Sequence, residues 1–98
     1  MSVYLAEDAD AIRRFLPPEA YPPEDAEALL LGYAVLMRVK GLECTAADVH
    51  DAWAAWMLGR DPQHRALVPF ESLPPDVQKR DLPYVYAIHA AARLRAGS

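Results

Sequence analysis

The hydrophobic positions of the chain recur at helical spacing, and prolines separate the segments that carry them. The first apolar face has the spacing i, i+3, i+4 and consists of Ile12, Phe15 and Leu16. We expect Asp8 or Asp10 to cap this helix at its start. Pro17 ends it near residue 16, because a proline pushes the preceding residue out of the α region.

The second predicted helix covers residues 24–40 and carries apolar side chains on nearly every face. Pro23 fits the first helical position, where its missing N–H is not needed. At the other end, Arg38 and Lys40 suit the negative pole of the helix dipole, and Gly41 is a natural stop. A helix without a polar face must be covered on most sides. It is therefore predicted to be the central helix of the domain or part of a homodimer interface.

The third predicted helix has the clearest local signals. Thr45 is the expected cap, and Asp48 three residues later resembles a capping box. The apolar stripe that follows has helical spacing and consists of Val49, Ala52, Trp53, Trp56 and Met57. We expect this helix to end near Gly59.

The rest of the chain is less regular. Residues 60–73 have no helical period, and within them residues 67–70 form an apolar strip that is expected to run extended across the core. Ser72 is expected to cap a short helical turn over residues 74–79. The last helix is predicted to start at Asp81. Its predicted buried face consists of Leu82, Val85, Tyr86, Ile88 or His89, and Ala92.

No segment alternates apolar and polar residues as an amphipathic strand does. The predicted fold is therefore all-α, a single small domain over residues 1–98 with about four helices. A proline-rich irregular connection joins helices three and four. The second helix is the expected hub, on which the third and fourth pack, and the strip of residues 67–70 closes one side.

Charge and length exclude several classes of function. The chain has 10 Lys and Arg against 14 Asp and Glu, a net charge of −4 at pH 7, which argues against a general nucleic-acid binder. Its longest apolar stretch, residues 28–37, is far shorter than the roughly 20 residues of a membrane span. The first residues lack the basic start and apolar run of a secretory signal. We therefore expect a cytoplasmic protein without a membrane partner.

The three histidines are the candidates for metal or ligand chemistry. His50, His64 and His89 include no pair at the i, i+4 spacing of a helical metal site, and one cysteine cannot supply a zinc cluster. The sequence therefore predicts no metal and no cofactor. Convergence of the histidines through folding, together with Asp51 or Asp61, stays open.

Some of these side chains also have a purely structural interpretation. His50 would then pack against Trp53 and form a hydrogen bond with the loop of residues 67–70. Trp53 and Trp56 likewise fit either the core or, with Phe70, the wall of a ligand site. Exposed rings would favour the ligand site, because large exposed apolar surfaces mark binding faces.

Cys44 is the one nucleophile that the sequence singles out. It lies just before the cap of the third helix, where the helix N-terminus would stabilise a thiolate and lower its pKa. The alternative is that Cys44 is a small buried or half-buried side chain, as a lone cysteine usually is. A catalytic thiol also needs a base, and no sequence feature assigns one. No catalytic residue is therefore predicted, and the protein is expected not to be an enzyme.

Residues 49–81 resemble the ryanodine-receptor-type (RyR) repeat. That family has a His-x-x-Trp helix, a loop ending in Leu-Val-Pro-aromatic, a charged turn and a closing helix. The residues that carry the resemblance are His50, Trp53, Leu67, Val68, Pro69, Phe70, Leu73, Lys79 and Asp81. The Gly-Trp-x-x-Gly element between the two motifs is missing, apart from Gly59, and the loop is shorter. The resemblance implies a mostly helical, non-enzymatic module, with a role in sensing nucleotide-derived signals or in host–phage conflict.

The V-H-D-A-W and L-V-P-F segments also make most of the chain similar to small proteins of actinobacteria and their phages. We predict a small non-catalytic protein-interaction module, a phage- or prophage-related accessory protein that binds a host protein or a second copy of itself. The homodimer would form through the helix of residues 24–40. The alternative is an RyR-type sensor domain that binds a nucleotide-derived small molecule. The residues of the hypothetical binding site are His50, Trp53, Trp56, His64, Pro69 and Phe70.

Overall fold

The computed structural model describes residues 3–23 and 26–97, and within these ranges every regular element is helical. Four long helices and one short helix follow each other, α1 (Tyr4–Phe15), α2 (Glu27–Lys40), α3 (Ala46–Leu58), α4 (Pro75–Gln78) and α5 (Leu82–Ala96). The predicted all-α fold, with an irregular proline-rich connection between α3 and α5, is therefore confirmed. None of the described helices is long and apolar enough to cross a membrane.

Helix α2 lies at the centre of the fold. It packs against α1, α3 and α5, so the prediction that it is the hub is confirmed. Helix α1 also packs against α5, a contact that the sequence pattern did not indicate. The largest fully buried side chains come from the four long helices, one from each, and are Ile12, Tyr33, Val49 and Ile88. The core is therefore built by all four long helices together.

A second face of α2 is left uncovered by the rest of the chain. Leu31, Val35 and Val39 lie about one helical turn apart and are exposed, and the exposed Leu42 follows just after the helix. We call these four residues the α2 row. The rest of the chain thus covers the core side of α2 but not the side that carries the α2 row.

The ends of α2 and α3 follow the sequence closely. Gly41 ends α2 with a positive φ of 54°, a conformation that glycine adopts without steric cost. At the start of α3, the backbone N–H of Thr45 donates to the Asp48 carboxylate at 2.9 Å, and the Asp48 N–H donates to the Thr45 hydroxyl at 3.3 Å. The predicted capping box is therefore confirmed. The hydrogen bond from Thr45 lowers the pKa of Asp48.

The starts of α1 and α2 differ from the prediction. Helix α1 begins at Tyr4, with Val3 as N-cap and no capping side chain, so Asp8 and Asp10 lie inside it. Asp8 pairs instead with Arg38 of α2 and ties the two helices together.

Helix α2 begins at Glu27, four residues after Pro23. The N–H of Ala26, the N-cap of this helix, donates to the carbonyl of Pro23 at 3.0 Å. Residues 24 and 25 of the predicted helix lie outside the described residues.

The connection between α3 and α5 also departs from the prediction. Residues 67–70 do not cross the core: Val68 is 39% exposed, Pro69 is exposed, and Leu73 is the buried residue of this segment. Ser72 lies in a 3-10 turn and does not cap the short helix. Helix α4 starts with Pro75 and has no side-chain cap, because a proline in the first turn is already preorganised for a helix.

Helix α5 begins after Asp81, as predicted, and buries Val85 and Ile88 of its predicted face, but not Tyr86. Tyr86 is 62% exposed, whereas Val85, Ala87, Ile88 and Ala91 are buried. Small alanine side chains let helices approach closely. The packing gained in this way outweighs the apolar surface that would be removed from water if Tyr86 faced the core. The predicted inward position of Tyr86 is therefore wrong.

Candidate binding cavity

A cavity of about 640 Å³ lies between α2, α3, the start of α5 and the chain that leads into α2. Five aromatic rings line it, namely Tyr21, Tyr33, Trp53, Trp56 and Tyr84, together with the imidazoles of His50 and His64. Its other walls are mainly apolar, and its charged lining residues are Glu19, Arg60, Arg80 and Asp81. The cavity has the size and the largely apolar walls of ligand sites, which measure about 300–1,000 Å³.

Helix α3 supplies one whole wall of this cavity. His50, Trp53, Met57 and Arg60 follow each other at intervals of three or four residues, so they share one face of the helix. Trp56 adds a second ring beside them. Both tryptophans pack partly against the core and also line the cavity, so the two interpretations of these residues apply together.

His50 is buried and has the structural contacts that the sequence suggested. Its Nε2 lies 2.7 Å from the carbonyl oxygen of Val68, and because a carbonyl only accepts, this nitrogen carries the proton. The ring stacks on Trp53, with centroids 5.6 Å apart, and its centroid lies 6.1 Å from that of Phe70. The predicted packing on Trp53 and the bond to the loop are therefore confirmed.

His64 lies on another side of the same tryptophan. Its ring meets Trp53 edge-on, with centroids 5.1 Å apart, and its Nδ1 accepts the N–H of Ala66 at 3.0 Å. His89 is elsewhere, with Nε2 2.8 Å from the carbonyl oxygen of Cys44. Folding thus brings two of the three histidines to one site.

The aspartates suggested as their companions do not join them. Asp51 is exposed and does not line the cavity, and Asp61 accepts the N–H of Gln63 at 3.1 Å. In the described part of the chain, no three His, Cys, Asp or Glu side chains lie close enough together to hold a metal ion.

Asp81 is the carboxylate inside the cavity. Burial raises its pKa to about 6, and the charge of His50 partly offsets this rise. Burial also raises the pKa of Tyr33 and of Tyr84. The nearby Asp81 carboxylate raises both pKa values further. Their rings are 5.4 Å apart, and the Tyr84 hydroxyl donates to the carbonyl of Ala20 at 2.7 Å. That hydrogen bond fixes the chain before α2 against the start of α5.

Two arginines stand at the exposed edge of the cavity. The guanidinium carbon of Arg60 lies 4.6 Å from the ring centroid of Trp56, which is a cation–π distance. Arg80 is also exposed and lines the cavity near Asp81, its neighbour in the chain. The cavity therefore has one half-buried negative group, Asp81, and an exposed edge that carries the two arginines and the carboxylate of Glu19.

Four of the six predicted site residues line the cavity, and two do not. His50, Trp53, Trp56 and His64 are lining residues. Pro69 and Phe70 are absent from the lining, because the Phe70 ring supports His50 from outside. The Gln78 side chain holds this segment by donating to the carbonyl of Phe70 at 3.0 Å and to that of Leu73 at 3.1 Å.

Sequence reasoning missed the polar residues of the far wall. Tyr33 is one of the apolar positions of the predicted helix 24–40, and Asp81 was placed at the start of the last helix and in the resemblance to the RyR repeat, not in the binding site. One signal was available, since a tyrosine among apolar positions carries a hydroxyl that needs a polar neighbour or water. The position of Asp81 against α3 had no local signal.

Of the two interpretations of Cys44, the buried side chain is confirmed and the lowered pKa is wrong. The thiol is buried, and burial raises its pKa to about 11, with a further increase from the nearby Asp48 carboxylate. Loss of hydration outweighs the helix N-terminus here, so the thiol stays protonated at neutral pH.

Comparison with known proteins gives a family for the chain. A family model described as a domain of unknown function (DUF7701) matches residues 3–93, and the chain belongs to this family. No curated protein and no solved structure matches it.

Proposed function

We propose that this member of the DUF7701 family is a small non-catalytic interaction module that receives a side chain of a partner protein in its aromatic cavity. The observation that supports this most is the cavity of about 640 Å³ with Tyr33, Trp53, Trp56 and Tyr84 in its walls. Tyrosine, tryptophan and arginine dominate the binding energy of protein interfaces.

One observation favours binding over catalysis. The Cys44 thiol is buried and protonated at neutral pH, so it is a poor nucleophile. The imidazoles of His50 and His64 each use one ring nitrogen for a hydrogen bond with the backbone, which holds the rings as walls of the cavity.

The partner that we propose is a host protein bound by a phage- or prophage-related accessory protein, with a second copy of the chain as the other candidate. Self-association is favoured by the α2 row, because a line of exposed apolar side chains is unusual in a monomer. Light scattering of the wild type and of Val35→Glu tests it. A homodimer through α2 would dissociate in the variant, and a monomeric wild type would exclude it.

A second candidate function is the binding of a nucleotide-derived small molecule, which the resemblance to the RyR repeat suggests. The specific observation in its favour is the combination of flat rings with two arginines at the mouth. A base would stack on Trp53, and Arg60 or Arg80 would contact a phosphate.

The test of the main proposal is a selection from a displayed random-peptide library, followed by binding measurements on two variants. Ala66 lines the cavity, so Ala66→Phe narrows it, whereas Ala55→Phe adds the same ring on the exposed face of α3. We expect selected peptides to bind the wild type and Ala55→Phe alike and to lose affinity for Ala66→Phe.

Peptides that bind Ala66→Phe as tightly as the wild type would contradict the proposal. A thermal-stability screen with nucleotides tests the second candidate. A ligand at a hundred times its Kd adds roughly 2.7 kcal/mol to the stability of the folded state. A nucleotide that stabilises the wild type and not Ala66→Phe would replace the main proposal.

A further inference from the structure

The carboxylate of Asp81 is the starting point, because it is half-buried in the cavity and is in neither of the ion pairs found among the described residues. Asp81 is the N-cap residue of α5, yet its side chain makes no capping hydrogen bond. The ion pairs found among the described residues join Arg38 to Asp8 and Lys40 to Asp48, away from this site. A desolvated carboxylate without such partners is costly, so it suits a positive group that arrives from outside.

Asp81 lines the same cavity as Tyr33 of α2, His50 of α3 and Tyr84 of α5. The charge of His50 compensates the carboxylate only in part, since burial still raises the pKa of Asp81. The two tyrosine rings carry negative charge on their faces and attract cations, most strongly where water is excluded. The structure already shows such a contact at the mouth, where the Arg60 guanidinium stacks on Trp56 at 4.6 Å.

The two arginines at the mouth do not cancel this attraction. Arg60 and Arg80 are exposed, so water screens their charges, whereas Asp81 is half-buried. At equal distance, a charge in surroundings with an effective dielectric constant of about 20 acts roughly four times as strongly as in water at about 80. A cation inside the cavity therefore interacts more with Asp81 than with the arginines.

We propose that the cavity selects a basic side chain of the partner, lysine or arginine, with Asp81 as its counter-ion and the rings of Tyr33, Tyr84 and Trp53 as its walls. This inference rests on the proposed function, since it names the kind of side chain that the module receives. The ammonium or guanidinium group donates hydrogen bonds to the Asp81 oxygens, and the aliphatic stem lies against the rings.

The experiment uses side-chain analogues of nearly equal size: butylammonium for lysine, propylguanidinium for arginine, pentanol as the neutral analogue and pentanoate as the anion. Binding is followed by NMR on the indole N–H groups of the chain's two tryptophans, both of which line the cavity. Fragments of this size reach millimolar affinity in a well-formed site.

The variants are Asp81→Asn and, as a matched control, Asp51→Asn on the exposed face of α3. We expect the two cations to shift the indole signals of the wild type and of Asp51→Asn in a saturable way. Asp81→Asn should weaken their binding at least about tenfold, while the weak binding of pentanol stays unchanged. The asparagine removes a desolvated charge and makes no demand on the fold, so unfolding does not confuse the result.

Three other results would each overturn this inference. Equal binding of pentanol and butylammonium that Asp81→Asn leaves unchanged would show a cavity that binds without selecting charge, and the proposed function would stand. A preference for pentanoate would show that the cavity selects an anion through Arg60 and Arg80, and not a cation through Asp81. Absence of any saturable shift would overturn the cation site, whereas the peptide selection decides separately whether the cavity binds a protein.

Discussion

Replacement of His50 by phenylalanine tests how the cavity wall is held in place. His50→Phe keeps an aromatic ring next to Trp53 but removes the hydrogen bond from Nε2 to the Val68 carbonyl, which is 2.7 Å long. We expect a less stable domain in which the loop of residues 67–70 is no longer fixed to α3. His50→Ala removes the ring as well and is expected to cost more.

The size of both effects follows from the contacts. A hydrogen bond inside a protein contributes about 0.5–1.5 kcal/mol net. We expect the loss in His50→Phe to be about 1 kcal/mol, within this range. In a domain of this size that lowers the Tm by roughly 4–8 °C. His50→Ala also leaves a gap beside Trp53 and Phe70, and such truncations cost about 2–5 kcal/mol.

The assay is urea unfolding, followed by tryptophan fluorescence and by circular dichroism. His89→Phe is the matched control, because His89 forms a similar bond to the Cys44 carbonyl at 2.8 Å but lies outside the cavity. His89→Phe should lose a comparable amount of stability, but the tryptophan emission of its native state should stay like that of the wild type. An unchanged unfolding midpoint in His50→Phe, or equal losses in His50→Phe and His50→Ala, would refute the reasoning.

Three further predictions concern single side chains. The pKa of Asp81 is about 6 in the folded state, against 3.8 for an unperturbed aspartate, so the free energy of unfolding falls as the pH rises between these values. Asp81→Asn should therefore melt at a higher temperature than the wild type at pH 8, and the difference should vanish at pH 3. The Cys44 thiol, with a pKa of about 11, should react with a thiol reagent at pH 8 only after denaturation, and rapid reaction of the native protein would contradict its burial. Thr45→Ala removes half of the capping box and should cost about 1 kcal/mol in urea unfolding, whereas no loss would mean that the box adds nothing.

The sequence predicted those parts of the fold that depend on local interactions. The reciprocal bonds of Thr45 and Asp48 need only the first turn of α3, and the stop at Gly41 needs only the conformational freedom of glycine. Helical structure over α3 accounts for His50, Trp53 and Trp56, three of the four predicted site residues that line the cavity, whereas His64 lies in the irregular segment after α3. These features depend little on the rest of the chain.

The parts that were wrong depend on contacts between distant segments. Asp8 fits a helix start in isolation, but in the fold it pairs with Arg38, thirty positions away in the sequence. Tyr86 has a larger apolar surface than Ala87 and Ala91. The two alanines nevertheless face the core, because the helices approach closely there and leave room only for small side chains. Asp81 reaches the cavity only because residues 59–81 turn back onto α3, and that irregular segment carries no periodic signal.

The central claim is that the aromatic cavity is the surface that binds the partner. The most direct measurement is a crystal structure of the domain with the tightest peptide from the library selection. We predict a basic side chain inserted between Trp53 and Tyr84, with its nitrogen within hydrogen-bonding distance of the Asp81 carboxylate. A peptide that lies along the α2 row, with the cavity left empty, would contradict the account.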